Sequence, residues 1–232
     1  MKKDKFTVLN NKGQKLAVCI FKNKTDRVIL GVPGIIPFDE IIGIEKAFKK
    51  YHSLGNSVCY FDTTGTGSSE GAKGINIEQV VEDIGSVLNV LAKKYKKIIL
   101  YGPSLGAIPA IIGAVKYKNN NLVKLIHING FFYPDKHLTS LQRLRIGYNF
   151  LLNPKLVQQK RYVKENFHPE MVKIPTLIVY GEKDRIVNPE QSKNMYRTLK
   201  TKKEILMILD GDHELLKEEY ISHAKRLFEW LS

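Results

Sequence analysis

An α/β fold with a mainly parallel, eight-stranded twisted sheet and helices on both faces is the architecture this chain predicts. Short Ile-, Val- and Leu-rich runs alternate with longer amphipathic ones, and no internal repeat or low-complexity tract interrupts the alternation. The runs read as strands cover residues 6–9, 16–21, 27–32, 57–61, 97–101, 122–128, 176–180 and 204–209. The first two, joined by Asn10-Asn11-Lys12-Gly13, form an antiparallel hairpin. From residue 27 onward helices separate most of the strands, which calls for crossovers and a parallel sheet.

The helices are expected over 39–54, 76–94, 106–118, 189–199 and 214–231. In the second, Ile77, Val80, Val81, Ile84, Val87, Leu88 and Leu91 recur at helical spacing, which marks a core-facing stripe, and Asn76 with Gln79 forms an N-terminal cap. After the sixth strand the alternation breaks: residues 131–173 contain a helix-like stretch and no convincing strand, the pattern of an insertion.

A chain of 232 residues, 43% of them hydrophobic, suits one domain over 1–232 with a sizeable core. Its two cysteines, Cys19 and Cys59, fall in separate strands without Cys-x-x-Cys spacing, which argues against a disulfide framework or a zinc site. The charged start, Met1-Lys2-Lys3-Asp4-Lys5, is followed by no apolar signal core, and no window approaches membrane-spanning length; a cytoplasmic protein is expected. The net charge of +14 favours anionic partners. Its lysines, however, occur in short groups such as Lys93-Lys94 and Lys202-Lys203 at helix ends and before strands, with no basic stripe interleaved with aromatics, so no nucleic-acid partner is expected.

In a parallel sheet, functional residues gather where strands end. Three such places carry chemistry. Gly102-Pro103-Ser104-Leu105-Gly106 follows the fifth strand and opens a helix, Gly181-Glu182-Lys183-Asp184 follows the seventh, and Asp210-Gly211-Asp212-His213 follows the eighth. Ser104 at a strand-to-helix turn is a candidate nucleophile, His213 the base it needs, and Asp184 the carboxylate that orients the imidazole, in the chain order Ser, Asp, His. The alternatives are a turn serine, an Asx-turn Asp184, and a helix-start His213 whose neighbours Asp210 and Asp212 compete as carboxylates.

With these motifs, and with Asp62-Thr63-Thr64-Gly65-Thr66-Gly67-Ser68 after the fourth strand, the chain resembles the α/β-hydrolase superfamily from about residue 27 to its end. The resemblance implies a nucleophile elbow at Ser104, a Ser104–His213–Asp184 catalytic triad, an oxyanion hole built from the Leu105 amide and a second amide after the third strand, and no cofactor or metal. The second donor is open: Gly31-Val32-Pro33-Gly34 lacks the family's frequent histidine, Pro33 has no N–H, and Val32 and Gly34 both remain candidates.

The resemblance also makes 131–173 a small helical lid after strand 6. Leu141, Leu144 and Tyr148 would supply a substrate-facing apolar side, or merely anchor the lid, and Lys136, Arg143, Arg145, Lys155, Lys160, Arg161 and Lys164 a basic rim. Such a lid suits an acyl chain with an anionic head group and allows peripheral contact with an anionic membrane. The expected function is hydrolysis of a small-molecule carboxylic ester or acyl thioester through an acyl-enzyme. Amide or peptide cleavage by the same residues, or ligand binding without turnover, are the alternatives. Oligomeric state leaves no mark on the sequence.

Overall fold

The computed structural model describes residues 2–34, 44–74, 76–132, 154–213, 215 and 230 of the chain; the side chains of 44–46 and 154–157 are outside that description. Eight strands, β1 (Lys3–Leu9), β2 (Lys15–Phe21), β3 (Arg27–Gly31), β4 (Ser57–Phe61), β5 (Lys97–Pro103), β6 (Leu122–Ile128), β7 (Thr176–Gly181) and β8 (Lys203–Ile208), form one sheet in the order β1-β2-β4-β3-β5-β6-β7-β8. The β1/β2 and β2/β4 pairs are antiparallel and every pair from β4 to β8 is parallel, so the sheet is mixed with a parallel majority.

The strand pleat divides the core in two. On one face Leu30, Phe61, Ile98, Leu100 and Ile178 meet α2 (Ile77–Leu91), α3 (Ala107–Lys116) and Met195 of α5 (Glu190–Thr198). On the other, Ile29, Val58, Tyr60, Ile99 and Ile126 meet Ala47, Phe48 and Tyr51 of α1 (Ile44–Ser53), with Trp230 beside them. The α2 stripe is buried as its spacing requires. Asn76 caps the helix by accepting the Gln79 N–H at 3.2 Å, but the Gln79 amide turns to Asn11 and Asp83 rather than back to Asn76, so the cap is one-sided.

Two boundaries differ instructively from the sequence reading. β1 starts at Lys3 rather than residue 6, because an edge strand pairs through its backbone, and Lys3 to Leu9 register continuously on Phe21 to Lys15 whatever their side chains. β5 runs on through Gly102 and Pro103, which register with His127 and Ile128, so the turn is compressed into Ser104–Gly106. Cys19 and Cys59 are buried on opposite faces of adjacent strands and are not joined by a disulfide.

In the insertion, Leu141, Leu144 and Tyr148 lie outside the described residues. The described helix there is α4 (Pro154–Asn166), which carries Lys160, Arg161 and Lys164 and packs Val163 against Val81 of α2 and Ile108 and Ile112 of α3. Most of the predicted helix 214–231, and residues 39–43 of the first, are likewise outside the description.

Candidate active site

Ser104 takes φ 49°, the left-handed region that costs a non-glycine residue about 1–3 kcal/mol. The surroundings compel it. A Cβ on Gly106 would stand 2.5 Å from the Val32 carbonyl oxygen, and one on Gly102 would stand 2.8 Å from the Gly106 carbonyl oxygen. Only glycines let β5 turn this tightly into α3 against the β3 loop. The Ser104 carbonyl accepts the Phe131 N–H at 2.9 Å, tying the turn to the segment after β6.

Three side chains from three strand ends then line up. His213 Nε2 lies 3.1 Å from Ser104 Oγ, and His213 Nδ1 lies 2.8 Å from Asp184 Oδ2. An ionised carboxylate only accepts, so Nδ1 carries the proton and Nε2 offers its lone pair to the serine hydroxyl. Asp184 is buried, and its other oxygen accepts the N–H groups of Ile186 and Val187, each at 2.8 Å. Its turn-forming and imidazole-facing roles therefore coexist, one oxygen for each. The competing carboxylates are engaged elsewhere: Asp210 pairs with Lys183, and Asp212 Oδ1 accepts the Leu215 N–H at 3.0 Å.

Around Leu105 the two open amides separate. The Val32 N–H donates to the Tyr101 carbonyl at 2.8 Å, prolonging the β3/β5 ladder, so that amide is spent. Gly34 instead stands over the turn: a Cβ built on it would be 3.8 Å from both the Leu105 nitrogen and Ser104 Cβ. Leu105 also packs against the cluster of Val81, Ile108, Ile112 and Val163, to which α4 contributes Val163.

Sequence reasoning missed Asn129. This residue follows β6, is buried, and takes φ 46°. Its side-chain amide donates to the carbonyls of Asp212 (2.9 Å) and His213 (2.6 Å), while its Oδ1 accepts the Gly181 N–H at 2.8 Å. One side chain thus fastens the loop bearing Asp184 to the loop bearing His213. Those loops touch so closely that a Cβ on Gly181 would come within 2.4 Å of the Gly211 carbonyl oxygen. A lone Asn behind a strand reads as an ordinary turn former; the one available signal was its position at a strand's carboxyl end.

His127, the buried histidine of β6, is excluded as a base by its surroundings. Burial holds its pKa down at about 3, its Nδ1 lies 3.3 Å from the Gly102 carbonyl, and its ring meets Phe132 edge-on at 5.2 Å. It is a neutral support beneath the elbow. Asp62 closes its own loop, accepting the Ser68 N–H at 2.8 Å. Among the described residues no group of three or more His, Cys, Asp or Glu is arranged to hold a metal ion.

The sheet order, the elbow after β5 and the strand-end placement of Ser104, Asp184 and His213 define an α/β-hydrolase. The fold is shared, at TM-score 0.74, with mouse alpha/beta hydrolase domain-containing protein 10 (22% identical, covering 99% of this chain and 100% of that one). It is shared with an esterase from Pyrococcus furiosus at 0.77 (18% identical, 99% and 89% covered) and with a Paleococcus ferrophilus monoacylglycerol lipase at 0.71 (21% identical, 93% and 98% covered). The chain belongs to the family described as serine aminopeptidase, S33, whose model matches residues 24–166 and 162–220. Among curated proteins it is similar to the uncharacterized protein YfhR of Escherichia coli, 23% identical over 161 residues that make up 68% of this chain and 53% of that protein, so the match spans about half the length of that relative.

Proposed function

We propose that this protein is a serine hydrolase that cleaves a carboxylic ester or acyl thioester of a small molecule. The observation that carries the reading is the continuous path from Ser104 Oγ through the His213 ring to buried Asp184, with contacts of 3.1 and 2.8 Å.

In this reading His213 Nε2 removes the Ser104 proton as Oγ attacks the acyl carbon, and Asp184 stabilises the resulting imidazolium. The negative charge on the substrate oxygen is met by fixed amides, those of Leu105 and Gly34. Collapse of the tetrahedral intermediate expels the alcohol or thiol, protonated by His213, and leaves an acyl-serine. Water activated by the same imidazole then releases the acid. Asn129 is a positioning residue, since it holds the backbone of His213 against the Asp184 loop. The cluster that Leu105 packs against includes Val163 of α4, which supports a role for the insertion in shaping the acyl site.

Hydrolysis of p-nitrophenyl and acyl-thioester substrates of graded chain length, with Ser104→Ala as control, tests the proposal. Turnover that survives the substitution rejects it. A second reading, amide or peptide cleavage, is favoured by the family's description as a serine aminopeptidase. Aminoacyl-anilide substrates turned over faster than esters of the same acyl group would select it. A folded sample that a fluorophosphonate fails to label would instead support binding without turnover.

A further inference from the structure

Among the described residues, the loops at the two ends of the parallel sheet differ in charge. Segments 22–27, 93–97, 117–124, 172–175 and 199–204, which lead into β3, β5, β6, β7 and β8, hold thirteen Lys or Arg against two carboxylates, Asp26 and Glu204. The described loops at the carboxyl ends, 32–34, 62–74, 129–132, 182–188 and 209–213, hold six carboxylates against three cations, apart from α4, which adds Lys160, Arg161 and Lys164 against Glu165. An excess of eleven positive charges, out of a net +14, therefore sits at the edge opposite Ser104.

Strand pairing, not sequence proximity, assembles that edge. Arg27 registers with Lys97, Ile99 with Lys124, and the Thr176 N–H bonds the Lys202 carbonyl. By strand alternation Arg27, Lys97 and Lys124 point to the face of Ile29, Ile99 and Ile126. The Lys124 ammonium stands 5.2 Å from the Trp230 ring centre, and burial together with Arg27, Lys202 and Lys97 lowers its pKa, as expected where like charges converge. Lys93, Lys94, Lys96, Lys97, Lys200 and Lys202 are exposed.

We propose that this amino-end edge docks on an anionic phospholipid surface, leaving the Ser104 end turned away from the bilayer. Strand starts spaced 4.7–4.9 Å apart place the charges in a row of roughly 20 Å from β3 to β8, a span suited to a surface. Twelve of the thirteen cations are lysines, which act as point charges, so the edge lacks the forked arginines that read base edges. The segments also lack a base-stacking platform: their two aromatics are Tyr95, buried, and Tyr117, half-buried with its hydroxyl on Glu82. The attraction is electrostatic and fades within a Debye length of about 10 Å at 0.1 M salt.

The test is sedimentation of the full chain with phosphatidylcholine vesicles and with vesicles containing about one third phosphatidylglycerol. Binding is expected to the anionic vesicles alone and to disappear at high salt. With each lysine contributing about fivefold in affinity, Lys94→Gln/Lys97→Gln/Lys202→Gln should weaken it on the order of 100-fold. The control at the opposite end, Lys12→Gln/Lys73→Gln/Lys183→Gln, should change it by less than about threefold. Trp230, the single tryptophan, adds a readout that needs no variant: energy transfer to dansyl-labelled headgroups is expected in the bound state. Absent binding, equal sensitivity of both triple variants, absent energy transfer, or tighter lysine-dependent binding to an oligonucleotide would each overturn the proposal.

Discussion

At the carboxyl end of the sheet Asp184 and Asn129 are each fixed by several other groups, whereas the amino end carries a group of exposed lysines. Asp184 accepts three hydrogen bonds, and Asn129 makes three that join two loops. Lys94, Lys96 and Lys97 are exposed lysines whose substitution leaves no cavity. Chemistry requires atoms within tenths of an ångström, while a diffuse field tolerates movement of several, and the chain invests its buried polar groups accordingly.

That contrast can be broken most sharply at Ser104. Ser104→Ala should lower kcat by at least about 10⁴-fold while thermal unfolding is unchanged or slightly improved, because alanine removes the nucleophile but retains the Cβ. Asn129→Asp keeps the shape but turns the donor that faces two carbonyls into a third acceptor. We expect kcat to fall about 100-fold with KM nearly constant, since the charge displaces His213 rather than the substrate. Steady-state kinetics on one ester separates these two parameters, and a proportional rise in KM would count against a positioning role.

A smaller effect concerns His127 beneath the elbow. Its pKa is depressed to about 3 in the fold, whereas the unfolded chain binds the proton near pH 6.5, so the unfolded state takes up more protons as pH falls below that value. Stability should therefore be lost from about pH 6.5 down to pH 3, by about 2 kcal/mol at pH 5. Urea titrations at pH 7 and pH 5 should show this difference in the parent and little of it in His127→Phe. The smallest effect belongs to the amino end: Lys94→Gln/Lys97→Gln should leave kcat/KM for a neutral soluble ester within about twofold and stability within about 0.5 kcal/mol.

The same contrast explains what could be read from the residues alone. Seven strands and the second half of β1 are legible as short apolar runs, and Ser104, Asp184 and His213 stand out because each lies within about five residues after one. The choice between Val32 and Gly34 is not legible, since it turns on a ladder bond to Tyr101, and neither is Asn129, whose partners are more than 50 residues away. The lysines look like scattered helix ends because segments 93–97 and 199–204 become neighbours only through the order β3-β5-β6-β7-β8.

Asn129 also sets a schedule. Its partner Gly181 lies 52 residues downstream, and His213 lies 109 residues after Ser104. At roughly 5–20 residues per second, a ribosome makes Ser104 several seconds before His213. During that interval the serine has no proton acceptor and the Asn129 amide has nothing to hold. On the proposed mechanism, the nascent chain carries an unactivated alcohol until β7 and β8 are made.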